Sequence, residues 1–168
     1  MLMPYHPANL APARFTPAYY RRLLEDLRPA PLKHPLPGDF PNTRQLDRLF
    51  RIPKGMLPTA DSEFLKEYLQ PGTTDFQLAK LLKVLCHLGH PAAQFLPAVG
   101  SAGPIARRAL MNAAAEQGDP ETVAVFAADM RDAHSAIVTL KQMGRMEYAT
   151  ALLLSDNRAL VDLVKKLL

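Results

Sequence analysis

Cysteine is nearly absent from this sequence, which has Cys86 alone among 168 residues and contains no tryptophan. A single cysteine excludes an internal disulfide framework and is typical of a protein from a reducing compartment. No apolar run approaches the roughly 20 residues that a membrane-spanning helix needs. β-Branched residues are sparse beside alanine and leucine, so the composition favours helix over sheet. We therefore expect an all-α protein without a membrane span.

Acidic residues are scarce in the first third of the chain. Residues 1–58 hold nine Lys and Arg against four Asp and Glu, whereas residues 59–168 hold eleven against twelve. Twelve of the sixteen prolines lie within residues 1–71, and proline breaks helix interiors by removing a backbone donor. These trends divide the chain into a proline-rich basic arm with short helices, residues 1–58, and a helical domain, residues 59–168.

The arm is predicted to alternate short helices with extended chain. Thr16 and Pro17 suit the first residues of a helix, and further short helices are expected at 43–51 and 61–69. Residues 32–41 should form an extended strap, because a residue before proline is pushed out of the helical region. The apolar faces of these helices are expected to be buried; they comprise Tyr20, Leu23, Leu24, Leu27, Leu46, Leu49, Phe50, Phe64, Leu65, Tyr68 and Leu69.

From residue 74 onward the pattern predicts helix after helix with short joints. Gly89, Gly118 and Gly144 stand where helix C-terminal caps are expected, and they lie 29 and 26 residues apart. Aligned on these glycines, the chain shows three pairs of apolar helices, which indicate either stacked hairpin repeats or an irregular helical domain. The predicted helices are 75–88, 91–99, 104–117, 120–131, 133–143, 146–154 and 157–167, with Asp75, Asp119 and Asp156 as N-caps.

The hairpins resemble those of the pentatricopeptide-repeat family. The stretch "ALMNAAAEQGDPETVAVFAADM" carries an apolar pair, a joint glycine at Gly118, then Phe126 and Met130 at the family's positions. The stretch "AIVTLKQMGRMEYATALL" is similar, with Gly144 and Ala149 in the expected places. The resemblance covers about residues 75–157 and implies a short stack of αα-hairpin repeats behind an extended N-terminal arm.

Members of this family commonly bind single-stranded RNA in organelles. The resemblance places the base-reading residue ten positions before each joint glycine, which here gives Ala79, Arg108 and His134. Alanine cannot hydrogen-bond a base edge, and the other two are not the residues that the family uses for reading. The repeat half is also near neutral, whereas nucleic-acid binding depends on phosphate neutralisation by a basic surface. We therefore rank RNA binding below protein binding.

A protein-binding use of the fold is implied by similarity to the small pentatricopeptide-type accessory subunits of mitochondrial ATP synthase in euglenozoan protists. The similarity rests on chain size, repeat type and degenerate code positions. It implies a non-catalytic subunit that docks on the F1 head, with the α subunit as partner. The resemblance also implies a mitochondrial location on the matrix side. The proline-rich first residues do not themselves resemble a transit peptide, which leaves open a cytosolic protein or a presequence outside the given sequence.

The basic arm supplies the candidate partner-binding residues, which are Arg14, Tyr19, Tyr20, Arg21 and Arg22. Arginine pairs with carboxylates of a partner, and aromatic side chains concentrate binding energy at interfaces. The alternative is that the tyrosines cover this protein's own helices and that the arginines form a solvated helix face. The sequence leaves both possibilities open. The second Arg pair, Arg107-Arg108, is expected to lie on a solvated face.

Signals for catalysis and for cofactors are weak. Cys86, His87 and His90 lie close together, but structural zinc requires four ligands and no fourth is near. The turn "GSAGP" at 100–104 lacks the lysine of a phosphate-binding loop, so it is expected to be a plain joint between helices. No ordered set of nucleophile, base and carboxylate is evident. We therefore expect no enzyme, no metal and no cofactor.

Overall fold

A computed structural model describes residues 16–29 and 39–168, and these residues form helices and turns without a β-strand. The all-α prediction is thus confirmed for the described part of the chain. Residues 32–38 of the predicted strap lie outside it. The α-helices are α1 (Pro17–Glu25), α2 (Thr43–Leu49), α3 (Asp75–His87), α4 (Leu96–Val99), α5 (Pro104–Glu116), α6 (Pro120–Ala127), α7 (Ala133–Gln142), α8 (Met146–Ala151) and α9 (Arg158–Leu167).

Three of the predicted helices are built differently from the expectation. The segment predicted at 61–69 is a 3-10 helix over Thr59–Tyr68. The helix predicted at 91–99 is a 3-10 turn over Ala92–Phe95 followed by α4, because Pro97 has no N–H to continue an α-helical ladder. The helix predicted at 146–154 likewise ends in a 3-10 turn, over Leu152–Leu154.

The second half of the chain is a stack of three helix pairs. We call α3, α5 and α7 the first helices, and we call 92–99, α6 and 146–154 the second helices. The most extensive packing in the molecule joins α3 to α5, and α5 in turn contacts α6 and α7. Each first helix buries the same three positions, four, seven and eight residues before its joint glycine. These residues are Leu85, Leu82 and Leu81; Ala114, Met111 and Leu110; and Leu140, Ile137 and Ala136.

The three joints share one backbone geometry. Gly89, Gly118 and Gly144 have φ of 99°, 69° and 71°, in the left-handed region that side chains disfavour. At Gly118 the glycine N–H donates to Ala115 O at 3.0 Å, and the following Asp119 N–H donates to Ala114 O at 2.9 Å. The same pair of bonds recurs at the other two joints. Each first helix therefore ends in a Schellman motif, which satisfies two of its last carbonyl groups.

Asp75 caps a helix other than the one predicted. Thr74 is the N-cap of α3, where it forms a capping box with Gln77. The Asp75 carboxylate instead accepts hydrogen bonds from the backbone N–H groups of Ile105 at 2.9 Å and Ala106 at 3.0 Å, at the start of α5. A Cβ on Gly103 would lie 2.5 Å from this carboxylate, so any other residue there would displace the Asp75 side chain from these N–H groups. Asn157, rather than Asp156, caps α9, whereas the prediction for Asp119 is correct.

Part of the basic arm belongs to the same hydrophobic core as the stack. Leu24 of α1 and Leu46 and Leu49 of α2 are fully buried in that core. The Tyr68 hydroxyl donates to the Leu27 carbonyl at 2.9 Å, which ties the 3-10 helix to the turn after α1. Phe50 was expected to be buried but is 39% exposed; it is the C-cap of α2, which ends at Leu49. Buried side chains therefore lie on both sides of residue 58.

Within residues 16–29 and 39–168, none of the helices has both the length and the apolar character that crossing a membrane requires.

Replacing Gly118 with alanine tests the joint geometry. A Cβ there would meet no atom within 4 Å, so the left-handed φ of 69° is the source of strain. We expect Gly118→Ala to lower the free energy of unfolding by about 1 kcal/mol, measured by urea denaturation. The matched control is Gly100→Ala, where φ is −55° and alanine should leave stability unchanged or raise it by up to about 1 kcal/mol. Equal effects of the two substitutions would contradict the assigned role of the joint.

Candidate functional site

A groove runs across the first helices and contains no residue of the second helices. It consists of two adjoining hollows of about 380 and 350 Å³ that share Lys83, Ala109 and Asn112. We call this surface the first-helix groove. The first hollow also contains Phe50, Lys54, Cys86, His87, Ala113, Glu116 and Gln117, and the second also contains Pro104, Ile105, Arg108, Arg131, Asp132 and Ser135.

Four cations line the groove and differ in how they are paired. Lys54 lies 3.9 Å from the Glu116 carboxylate, and Arg131 Nη2 lies 2.6 Å from Asp129. Arg108 donates only to a neutral partner, the Ser135 hydroxyl, at 3.1 Å. Lys83 is exposed and has no ion pair with the residues described. Positive charge thus remains available at the middle of the groove.

The charge of the stack is divided between its two sets of helices. The first helices contain five Lys and Arg, at 80, 83, 107, 108 and 141, against Asp75 and Glu116. The second helices contain no Lys or Arg, and their charged residues are Glu121 and Glu147. Of the five cations, Lys83 and Arg108 line the groove, and an anionic group is attracted to them.

Arg107 is a buried cation next to the groove, which corrects the expectation of a solvated Arg107-Arg108 pair. Its side chain is 7% exposed, because position 107 continues the inward-facing row of 110, 111 and 114 on α5. Nε donates to Asp132 at 2.7 Å, Nη2 to Asp129 at 3.0 Å and Nη1 to the Val99 carbonyl at 3.0 Å. The guanidinium therefore joins α4, α5 and the turn between α6 and α7.

Asp129 sits between two arginines in that turn. Hydrogen bonds from the Arg131 side chain and backbone, with the charge of Arg107 adding to them, lower the pKa of Asp129 to about 2. The carboxylate stays ionised at neutral pH, and it holds Arg131 at the rim of the groove. This pairing leaves Lys83 and Arg108 as the groove cations without a carboxylate partner among the described residues.

The three positions of the family's base-reading code are not equivalent in the structure. Ala79 is 3% exposed and lies in the core, so it contacts nothing outside the protein. Arg108 and His134 are both exposed, and Arg108 lines the groove. The first hairpin therefore has no exposed side chain at the position from which the family reads a base.

The candidate contact residues of the arm separate into different environments. Tyr20 is 3% exposed, which corrects its assignment as a surface contact, because its ring lies on the inward face of α1. Tyr19 is 38% exposed and packs edge-on against Tyr20. Arg21 forms an ion pair with Asp61 at 3.0 Å, and Arg22 is exposed. Arg14 lies outside the described residues.

Cys86, His87 and His90 each have a separate structural environment. Burial raises the pKa of Cys86 to about 12, so its thiol stays protonated. His87 Nε2 lies 2.7 Å from the Ile52 carbonyl and donates to it. Its ring lies against Phe50, with the ring centroids 5.3 Å apart. In the described residues no group of three or more His, Cys, Asp or Glu is arranged to hold a metal ion.

Ser62, His90 and Glu63 form an arrangement that superficially resembles a catalytic triad. Ser62 Oγ lies 2.8 Å from His90 Nε2, and His90 Nδ1 lies 3.7 Å from Glu63. Ser62 and His90 are only 2% and 1% exposed, so a substrate has no access to the hydroxyl. Ser62 Oγ also donates to the Thr59 carbonyl at 3.1 Å. The pair therefore fastens the 3-10 helix to the first joint rather than forming a reaction centre.

The turn at 100–104 is a joint between helices whose free N–H groups are already capped, rather than a phosphate-binding loop. Free N–H groups at the start of α5 would attract an anion, but the Asp75 carboxylate occupies those of Ile105 and Ala106. A phosphate would have to displace this carboxylate. The groove residues Lys83 and Asn112 were not predicted from the sequence. The difference in charge between first and second helices could have indicated Lys83, whereas the neutral Asn112 carries no such signal.

Removing the Arg107 guanidinium tests its role at the centre of the stack. We expect Arg107→Ala to lower the free energy of unfolding by about 3 kcal/mol, because two carboxylates lose a buried partner. Arg108→Ala, the adjacent exposed arginine, should change stability by less than about 0.5 kcal/mol. In an Arg107→Ala background, Asp132→Asn should cost less than it does alone, as a double-mutant cycle would show. Additive effects would contradict the coupling.

The buried His90 predicts a pH dependence of stability. Burial, with the nearby Lys66 charge, lowers the pKa of His90 below its usual value of 6.5. The unfolded state therefore binds a proton first as pH falls, and stability should decrease below about pH 6.5. We expect His90→Gln to flatten the curve of unfolding free energy against pH between about 5 and 7. The control His134→Gln changes an exposed imidazole and should retain the slope; a slope equal to wild type in His90→Gln would refute the assignment.

Comparison with known proteins provides no family to which the chain can be assigned. No family model matches it, and neither a curated protein nor a solved structure was found that matches it. What the protein does must therefore follow from its own geometry. That geometry is an all-α stack whose first helices line a cationic groove and whose second helices carry little charge.

Proposed function

We propose that this protein is a non-catalytic helical-repeat subunit that binds a protein partner within a larger assembly. The observation that carries the proposal is the mixed chemistry of the first-helix groove. Phe50 and Ile105 are 39% and 52% exposed at its two hollows, and the cations Lys83 and Arg108 lie with them. Interfaces between proteins combine apolar and aromatic contacts with arginine and a polar rim.

A protein fits this surface better than RNA does. The Glu116 carboxylate lines the first hollow, and its side chain is 70% exposed beside Lys54. A phosphate backbone carries one negative charge per nucleotide and gains affinity by neutralisation, so this carboxylate opposes it. A protein segment can place a polar or basic side chain against Glu116. Ala79 supports the same conclusion because it is buried.

The hydrogen bonding and burial of the interior polar side chains support a non-catalytic role. Within the described residues, each buried side-chain nitrogen or oxygen has a hydrogen-bond partner. Ser62 and His90 are enclosed, and the Cys86 thiol has a raised pKa. Catalytic groups are found in clefts where a substrate can reach them. The groove offers charge and apolar surface rather than a nucleophile with an adjacent base.

The specific partner that we propose to test first is the α subunit in the F1 head of mitochondrial ATP synthase, on the matrix side. This choice follows from the resemblance to pentatricopeptide-type accessory subunits. The exposed residues of α1, Tyr19 and Arg22, are then a second proposed contact in addition to the groove. Arg21 contributes less, because its guanidinium is already paired with Asp61.

The second candidate function is binding of single-stranded RNA in an organelle. It is favoured by Arg108, which stands at a reading position and lines the groove, and by Lys83, which has no ion pair within the described residues. Both candidates use the same surface. They differ in how binding responds to salt, since neutralising a nucleic acid releases its condensed counterions.

Purification of the native complex distinguishes the two functions. We expect the chain to purify in a fixed ratio with protein subunits and without RNA, and to cosediment with isolated F1 heads. Binding to the heads should change by less than about tenfold between roughly 50 and 200 mM salt, because apolar contacts contribute to it and few ion pairs are involved. RNA binding through about four phosphates would weaken about fiftyfold over that range.

Substitutions in α1 test the second contact in the same cosedimentation measurement, and a substitution in α9 is the control. Tyr19→Ala and Arg22→Glu should weaken cosedimentation, whereas Arg158→Glu, an exposed arginine on α9, should not. Purification of the chain with RNA and without a protein partner would refute the proposal. Cosedimentation with a different assembly would retain the protein-binding role and exclude the F1 head as the partner.

A further inference from the structure

We infer that the first-helix groove binds an acidic peptide segment of the partner, with carboxylates on Lys83 and Arg108 and apolar side chains against Phe50 and Ile105. The inference rests on the proposed protein-binding function and names the chemistry that the groove recognises. The four residues line two adjoining hollows on one side of the stack, so a single segment can reach all of them.

The positive charge at the middle of the groove favours an anionic occupant. Lys83 lines both hollows and has no carboxylate partner within the described residues. Arg108 has the Ser135 hydroxyl as its partner at 3.1 Å, which leaves its charge uncompensated. The flanking cations Lys54 and Arg131 have carboxylates at 3.9 and 2.6 Å. Charge complementarity is therefore strongest at the centre, and carboxylates of the segment belong there.

Asn112 gives the groove a group that can hold a peptide backbone. It lies in both hollows and is exposed, and its side chain forms no hydrogen bond with the described residues. Its side-chain amide can donate to a carbonyl and accept from an N–H at once, which matches the two polar groups of one residue in an extended chain. Asn112 lies between the two apolar ends, beside Lys83.

The apolar contacts define the two ends of the segment. Phe50 lies at the first hollow with its ring against His87, and Ile105 lies at the second, where it is 52% exposed. Exposed apolar side chains gain free energy when a partner removes them from water. The expected recognition element is thus two apolar residues separated by acidic ones. A nucleic acid lacks aliphatic side chains for Ile105, and its uniform charge meets Glu116.

Selection from a random peptide library tests the inference even while the partner is unidentified. The full chain is immobilised, displayed peptides are selected on it, and affinities of synthetic copies are measured by fluorescence anisotropy. We expect the selected peptides to be enriched in Asp and Glu between apolar residues. Lys83→Glu and Arg108→Glu should each weaken binding at least about tenfold, which equals about 1.4 kcal/mol. Asn112→Ala should weaken it by a smaller factor.

Lys165→Glu is the matched control, because it makes the same charge change at an exposed position on α9. It should leave peptide affinity unchanged, and thermal melting should confirm that all variants are folded. The inference fails if no peptides are enriched, if the enriched peptides are not acidic, or if Lys83→Glu binds them as well as the wild type does.

Two further outcomes overturn the inference and identify another occupant. Oligouridylate that displaces the peptides and binds more tightly would assign the groove to nucleic acid. Self-association that is lost in Lys83→Glu would assign it to a second copy of this chain. If acidic peptides fail while the native complex still contains a protein partner, the inference alone is wrong. Purification of the chain without any protein partner would remove the proposed function as well.

Discussion

The buried guanidinium of Arg107 holds the three helix pairs in one arrangement. It donates to the Val99 carbonyl in the first pair, belongs to α5 in the second, and binds Asp129 and Asp132 at the start of the third. Apolar packing between helices is weakly directional, whereas a planar group with five donors fixes angles as well as distances. The relative position of the hairpins, and hence the groove across them, depends on this interaction.

The ion pairs of Arg107 also determine the charge that the groove exposes. Asp132 lines the second hollow, but its carboxylate is directed to Arg107 at 2.6 Å, and Asp129 is shared between Arg107 and Arg131. Two anions are thus neutralised inside the stack, and the exposed charges of Lys83 and Arg108 remain. An acidic ligand therefore meets a cationic surface, because the carboxylates of Asp129 and Asp132 are already paired with arginines.

The sequence was sufficient for features that depend on neighbouring residues and insufficient for those that join distant ones. Gly118 could be predicted as a joint because the left-handed cap and the flanking apolar rows are local signals. Asp75 could not be assigned to α5, since its partners lie about 30 positions away. Arg107 and Arg108 are adjacent and alike, and only the packing of α5 shows that one is buried and the other exposed.

The ends of the stack are covered, which limits where a partner can approach. At one end α2 and the 3-10 helix pack on α3, and the bond between Ser62 and His90 fastens that layer. At the other end α9 packs on α7 and buries Leu160 and Val164. Helical stacks with open ends extend by adding further units, whereas covered ends stop this growth. Contact with a partner is therefore expected at the lateral surfaces, of which the groove is the more strongly charged.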